Sequence, residues 1–321
     1  MAHDDVVLVG VDGSAASLHA LDWAAAEARV HGLSLKLVCS YALPAFTAAS
    51  LDGGYAALDD TAIQVGAKAV LAEAQARAQD RGVGATTSVV TGDAAAVLVE
   101  MSRTARMAVV GTRGRGGFAD RLLGTVSSAL PAHAYCPTVV VPSRPHGADP
   151  AESAPVEPVR RIVVGVDGSP ASDVALRHAI REATAWGAEL TAVAGVPVGS
   201  GSGLLAWLPA AVDHEAVLRD IAEGLDVVID RAVADNPGVP VKRHVLDGTG
   251  AQLLTEFSTA TDLIVVGSRG RGGFAGLLMG STSQAVLHHS ACPVMVVTRR
   301  CESGGAPKAR GRVQDIRDLY R

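Results

Sequence analysis

The chain has 321 residues, more than one hydrophobic core usually organises, which leads to an expectation of two domains. Hydrophobic residues make up 48% and aromatic residues only 3%, so Ala, Val and Leu must fill both interiors. Lys and Arg total 28 against 33 Asp and Glu, a formal charge of -5, and no apolar run reaches the roughly 18 to 20 residues of a membrane helix. Nucleic-acid binding and membrane spanning are therefore set aside as functions.

Asp4 and Asp5 run directly into Val6, Val7, Leu8 and Val9, without the basic region, apolar stretch and cleavage site of a signal peptide, so a cytoplasmic location is expected. Short Val-rich runs then predict strands at 6–11, 34–40, 85–90, 107–111 and 138–141, with Ala-rich helical stretches filling most of the gaps. Ser14 or Ser17 is expected to cap the first helix, Asp93 the third and Thr125 the fourth, each offering an acceptor to helix-start amides. The order βαβ, loop, αβαβαβ indicates a doubly wound, Rossmann-like α/β domain.

The same unit then repeats. Gly10-Val11-Asp12-Gly13-Ser14 returns at Gly165-Val166-Asp167-Gly168-Ser169, an offset of 155 (167 minus 12). Val109 to Ala119 returns at Val265 to Ala275 with a single change, Thr112 to Ser268, at an offset of 156 (267 minus 111). Two domains, 1–142 and 160–299, are thus expected. The Pro-rich stretch 143–159 between them reads as a linker, and 300–321 as a disordered tail with a short helix near Gln314 to Tyr320. Cys136 and Cys292 recur in the same Cys-Pro context, as copied core positions would, and the four cysteines show no CxxC spacing. A reducing compartment without a cysteine-bound metal follows.

In open α/β sheets ligands settle beyond the carboxyl ends of the strands, so the residues that follow each apolar run carry the chemistry. After the first strand stand Asp12 and Asp167. After the fourth, Gly-x2-Gly-x9-Gly-Ser/Thr occurs twice, as Gly111, Gly114, Gly124, Thr125 and as Gly267, Gly270, Gly280, Ser281. Glycines let backbone amides approach phosphate oxygens, and a hydroxyl at a helix start adds an oriented donor beside a favourable dipole end. A plain tight turn is the alternative reading of such glycines, and an Asp-Gly-Ser turn that caps the next helix is the alternative for the aspartates. Arg113, Arg115, Arg269 and Arg271 lie among the glycines, positioned either to neutralise phosphate or to face solvent. Ser127 and Ser283 are further candidate donors one helical step on, with solvent exposure as their alternative.

These residues resemble the ATP-binding motif of universal stress proteins, and the resemblance covers nearly all of 5–142 and 160–298. It implies a five-stranded parallel sheet of order 3-2-1-4-5 in each domain. It also implies that Asp12 and Asp167 lie beside the adenosine and that Val38 and Val193 on the second strands give backbone contacts to adenine. The glycine loops with Thr125 and Ser281 would hold ribose and phosphates, and Mg would be contacted mainly through the phosphates. Pairing of the last strands would make the chain a pseudo-dimer.

Other site chemistries lack their residues. All four lysines, Lys36, Lys68, Lys242 and Lys308, are preceded by something other than Gly, which excludes a Walker loop. Gly114 to Ala119 formally fits Gly-x-Gly-x-x-Ala, but no acidic residue ends the next strand to take a ribose. His133, His288 and His289 have no partner at ligand spacing and read as complements of helix C-termini. Three functions stay open: a nucleotide-dependent stress or growth regulator acting through an unknown protein partner, a slow ATPase or phosphotransferase, and a nucleotide-independent scaffold. The apolar edges Thr138 to Val141 and Pro293 to Thr298 pair either within one chain or between chains as a homodimer.

Overall fold

A computed structural model describes residues 4–42, 60–112, 123–143, 156–197, 214–234, 238–271 and 279–302. The first half runs β1 (Asp4–Gly10), α1 (Ala15–His31), β2 (Ser34–Tyr41), α2 (Asp60–Asp80), β3 (Ala85–Thr91), α3 (Ala94–Met101), β4 (Ala105–Gly111), α4 (Thr125–His133) and β5 (Thr138–Val141). The second repeats it as β6 (Arg161–Gly165), α5 (Pro170–Trp186), β7 (Glu189–Val196), α6 (His214–Ala234), β8 (Val241–Asp247), α7 (Gly250–Phe257), β9 (Leu263–Gly267), α8 (Ser281–His289) and β10 (Val294–Val297). The five strands expected in the first half agree with these bounds to within two residues, the usual uncertainty of an element end.

Alternation along β1 explains the layers. Val7 and Val9 point to one face and Leu8 to the other, and all three are fully buried because helices cover both faces. The α1, α2, α5 and α6 side of the sheet holds Leu21, Leu35, Leu37, Leu176 and Ile180. The opposite side, under α3, α4, α7 and α8, holds Val38, Val110, Leu130, Leu254 and Val266. Aliphatic side chains do this work, in keeping with the scarcity of aromatic residues.

Each half has the order 3-2-1-4-5, and the halves join into one ten-stranded sheet, β3-β2-β1-β4-β5-β10-β9-β6-β7-β8. Pairing is parallel throughout except at the join, where β5 and β10 run antiparallel with Val139 opposite Met295. Those two residues are equivalents in the repeat (295 minus 139 is 156), so a pseudo-twofold axis passes between them. Both apolar edges are thereby closed within one chain, which removes two exposed strand edges. Among the described residues no helix is long and apolar enough to cross a membrane.

Two expectations at the domain margins need correction. Residues 300–302 do not belong to a disordered tail: Arg299–Glu302 forms a 3₁₀ turn in which Cys301 packs against the core. The Arg300 guanidinium donates to the His133 carbonyl at 2.8 Å, and the Thr298 hydroxyl donates to the Ala134 carbonyl at 3.0 Å, so this turn fastens the second half to the first. Likewise, the end of the expected linker is docked, with Val159 buried and Val156 packed beside it. The remaining linker residues 144–155 and the tail from residue 303, including Gln314 to Tyr320, lie outside the described residues.

Candidate functional site

Strand order reverses at β1, which lies between β2 and β4, and at β6, which lies between β7 and β9. Connections leave these strands toward opposite faces, and the chain opens a crevice beyond their carboxyl ends. In the second half that crevice is a cavity of about 450 Å³ lined by Asp167, Val193, Gly267, Gly270, Gly280 and Ser281 among others. Its size lies within the roughly 300 to 1,000 Å³ typical of small-molecule sites.

The aspartate is placed by local turn chemistry. Gly168 has φ 72°, a left-handed conformation that an L side chain adopts only with strain, and this bends the chain sharply after Asp167. The Ser169 amide then donates to Asp167 Oδ1 at 3.0 Å, while the Ser169 side chain accepts from the Ser172 amide and caps α5. The first half is built alike: Gly13 has φ 76°, Asp12 Oδ1 accepts from the Ser14 amide at 3.0 Å and its hydroxyl at 2.6 Å, and Ser14 caps α1. Serine, not aspartate, is therefore the cap, and Ser17 is not one.

Asp167 has a second task. Its Oδ2 accepts from the Arg271 amide at 3.0 Å, which pins the glycine loop against the end of β6. A Cβ on Gly270 would collide with that same oxygen, so glycine there lets the loop lie this close to the carboxylate. Desolvation pushes the Asp167 carboxyl up, but hydrogen bonds from Ser169, the Arg271 amide and Ser172 outweigh it and hold its pKa below the ordinary value.

The loop glycines divide into two kinds. At Gly267 a Cβ would sit 2.8 Å from the Ala171 backbone carbon, and at Gly111 it would sit 2.6 Å from the Ala16 carbonyl oxygen. These glycines admit the first turns of α5 and α1 and serve packing. At Gly280, in contrast, the nearest atom to an added Cβ is Arg269 Cα at 3.4 Å, an ordinary contact. Gly280 donates its amide to the Ser268 carbonyl at 2.8 Å, as Gly124 does to Thr112 at 2.9 Å, which closes the base of each loop.

Thr125 is not the cap of α4. The cap is Gly124 and that of α8 is Gly280, neither with a side-chain hydrogen bond, and Thr125 and Ser281 are the first helical residues. The first-turn amides of both helices are therefore left without the side-chain acceptor a cap supplies, a natural seat for an anion. The Ser127 and Ser283 hydroxyls take no part in it, although Ser283 lines the cavity. Both are buried and donate to loop carbonyls, Ser127 to Thr112 at 2.7 Å and Ser283 to Ser268 at 3.1 Å.

Val193 lines the cavity, but its carbonyl already accepts the Val166 amide at 2.9 Å, and the Val38 carbonyl accepts that of Val11 at the same distance. Gly195, two residues further along β7, also lines the cavity, with the Gly250 amide 2.8 Å from where its Cβ would be. Arg269 and Arg271 are exposed at the rim, and the Arg271 guanidinium lies against Gly168. Arg113 and Gly114 of the first half lie outside the described residues. Sequence reasoning passed over Gly195, Gly250, Met279 and Thr282, which line the cavity; of these only Gly195 has a signal, as a glycine late in an apolar run.

The Universal stress protein family model matches residues 5–142 and again 158–298. The chain is 37% identical over 298 residues to a universal stress protein of Mycobacterium tuberculosis (strain ATCC 25618 / H37Rv), covering 90% of this chain and 96% of that one. It is 36% identical over 301 residues to one of Mycolicibacterium smegmatis, covering 92% and 97%. The crystal structure of a universal stress protein from Archaeoglobus fulgidus DSM 4304 superposes with a TM-score of 0.64 at 22% identity, covering 92% of this chain and 99% of that one.

Proposed function

Because the chain belongs to the universal stress protein family, we propose that each half binds ATP and that occupancy, not turnover, is its output, read by a protein partner in a stress or growth response. The observation that carries this reading is the cavity at the end of β6 and β9, where loop glycines, an uncapped helix start and a fixed aspartate converge. The first-turn amides of α8 and the Ser281 hydroxyl suit phosphate, with Arg269 and Arg271 at the rim adding positive charge. The apolar wall at Val193 and Leu254 suits a base. Mg, when bound with the nucleotide, would neutralise phosphate charge and be held chiefly by the phosphates.

Binding is favoured over hydrolysis by the state of the carboxylate. Both Asp167 oxygens already accept backbone amides, Ser169 on one and Arg271 on the other, and no lysine or histidine lines the described cavity. A carboxylate whose hydrogen bonds hold its pKa below the ordinary value is a weak general base. The reading carries a cytoplasmic location, where ATP is made and buried thiols such as Cys136 and Cys292 stay reduced.

The first test is mass spectrometry of small molecules released by denaturing freshly purified protein, followed by titration of the nucleotide-free chain with ATP and Mg. The expected result is adenine nucleotide at up to two per chain, with affinity reduced by Asp12→Ala plus Asp167→Ala. Protein that neither carries nor binds adenine nucleotide at millimolar concentration overturns the reading.

A further inference from the structure

On the opposite face of the sheet from the cavity, the two halves meet through α1 and α5. Glu27 and Glu182 are equivalents in the repeat (182 minus 27 is 155) and come together at this junction, both almost fully buried. The repeat is broken one turn later, where the first half has His31 and the second has Trp186. His31 Nε2 lies 2.9 Å from Glu27 Oε1 and 3.0 Å from Glu182 Oε2.

We propose that Glu27, His31 and Glu182 form a binding site for one divalent transition-metal ion, with zinc as its representative, at the pseudo-twofold junction of the two halves. Each residue offers one ligand atom, and the three atoms lie within 4.8 Å of one another. Tetrahedral zinc with nitrogen and oxygen ligands at roughly 2.0 to 2.1 Å sets those atoms about 3.3 Å apart, so His31 Nε2 already stands within a few tenths of an ångström of the required spacing from each carboxylate. One imidazole and two carboxylates are the donor types of open zinc sites.

Further polar groups enclose the cluster. His31 Nε2 bridges Glu182 Oε2 and Glu27 Oε1, so the proton it carries is shared between two buried carboxylates. The other oxygen of Glu27 is held by the Trp186 indole N–H at 2.9 Å, the kind of outer contact that orients a metal ligand. Beside the cluster lies a cavity of about 100 Å³, lined also by His178, whose buried Nε2 has no hydrogen-bond partner. That space suits a water as fourth ligand.

Two effects oppose the ion and set its affinity. His31 has its pKa raised to about 10 by its hydrogen bonds to Glu182 and Glu27, so the metal must displace a firmly held proton. Arg106 and Arg181 line the same cavity and repel a cation. Neither half supplies the whole ligand set, so a bound ion would tighten the union of the two.

The test uses the full chain, stripped with chelator and titrated with zinc chloride by calorimetry, beside His31→Gln and Glu182→Gln. One zinc per chain is expected, with a rise in melting temperature, and each variant should lose more affinity than the roughly 10- to 100-fold typical of removing an outer-shell partner. A wild-type chain that binds no zinc, or binding unchanged in both variants, overturns the proposal. Should the variants fail to fold, the cobalt absorption spectrum of the wild-type chain decides. Tetrahedral bands without sulfur charge transfer support the site, whereas a thiolate band assigns the metal to cysteine and overturns it.

Discussion

Gly267→Ala and Gly280→Ala test the division of the loop glycines into packing and ligand positions. At Gly267 the new Cβ would lie 2.8 Å from the Ala171 carbon and 3.0 Å from both its oxygen and its Cβ, all in the first turn of α5. Backbone cannot rotate aside, so the helix must move off the sheet, and overpacking of this kind costs about 1 to 3 kcal/mol. At about 2 °C per kcal/mol for a large domain, the melting temperature should fall by roughly 2 to 6 °C. At Gly280 the nearest atoms are 3.4 to 3.6 Å away, so alanine fits, and the stability change should stay within about 0.5 kcal/mol. Its methyl group would instead stand at the helix start where phosphate is proposed to bind. Calorimetric melting of nucleotide-free protein reads the first effect, and ATP titration of the same samples reads the second. Equal destabilisation by both substitutions, or a neutral Gly267→Ala, refutes the packing argument; unchanged ATP affinity in Gly280→Ala refutes the ligand argument.

Ser169→Ala removes the cap of α5 and should lower stability by about 1 kcal/mol in urea denaturation, with Ser14→Ala behaving alike at α1. Trp186→Phe keeps the ring but deprives buried Glu27 Oε2 of its donor, so metal-free protein should lose about 1.5 to 3 kcal/mol, measured by the same assay in chelator. Asp167 has a lowered pKa in the folded state, so the stability it contributes is complete above the ordinary aspartate value of about 3.9 and disappears as pH falls through the lower folded value. The stability gap between wild type and Asp167→Ala should therefore narrow in acid, and a gap that widens below about pH 4 contradicts the hydrogen-bond assignment.

Much of the fold was legible because its signals are local. Strand and helix positions follow from apolar runs read against period, the duplication from Asp12 and Asp167 recurring at constant offset, and the loops from glycine spacing. A left-handed turn at Gly168 or a serine cap at Ser169 depends on neighbours within a few residues, so sequence carries it almost whole. Assigning work to each glycine was beyond local reasoning, since Gly267 and Gly280 look alike in a motif and differ only in what a Cβ would meet. Ser283 was misplaced for the same reason, because a hydroxyl one helical step from the loop points inward to the Ser268 carbonyl once the loop closes. The join was the least legible. Two short apolar edges could close within a chain or between chains, and only the assembled sheet pairs Val139 with Met295. That pairing brings His31 to Glu182 across 151 positions of sequence, a contact for which no spacing rule exists. The sequence by itself determined the elements and the repeat, since these rest on neighbours along the chain, while the tertiary structure decided the contacts between distant residues.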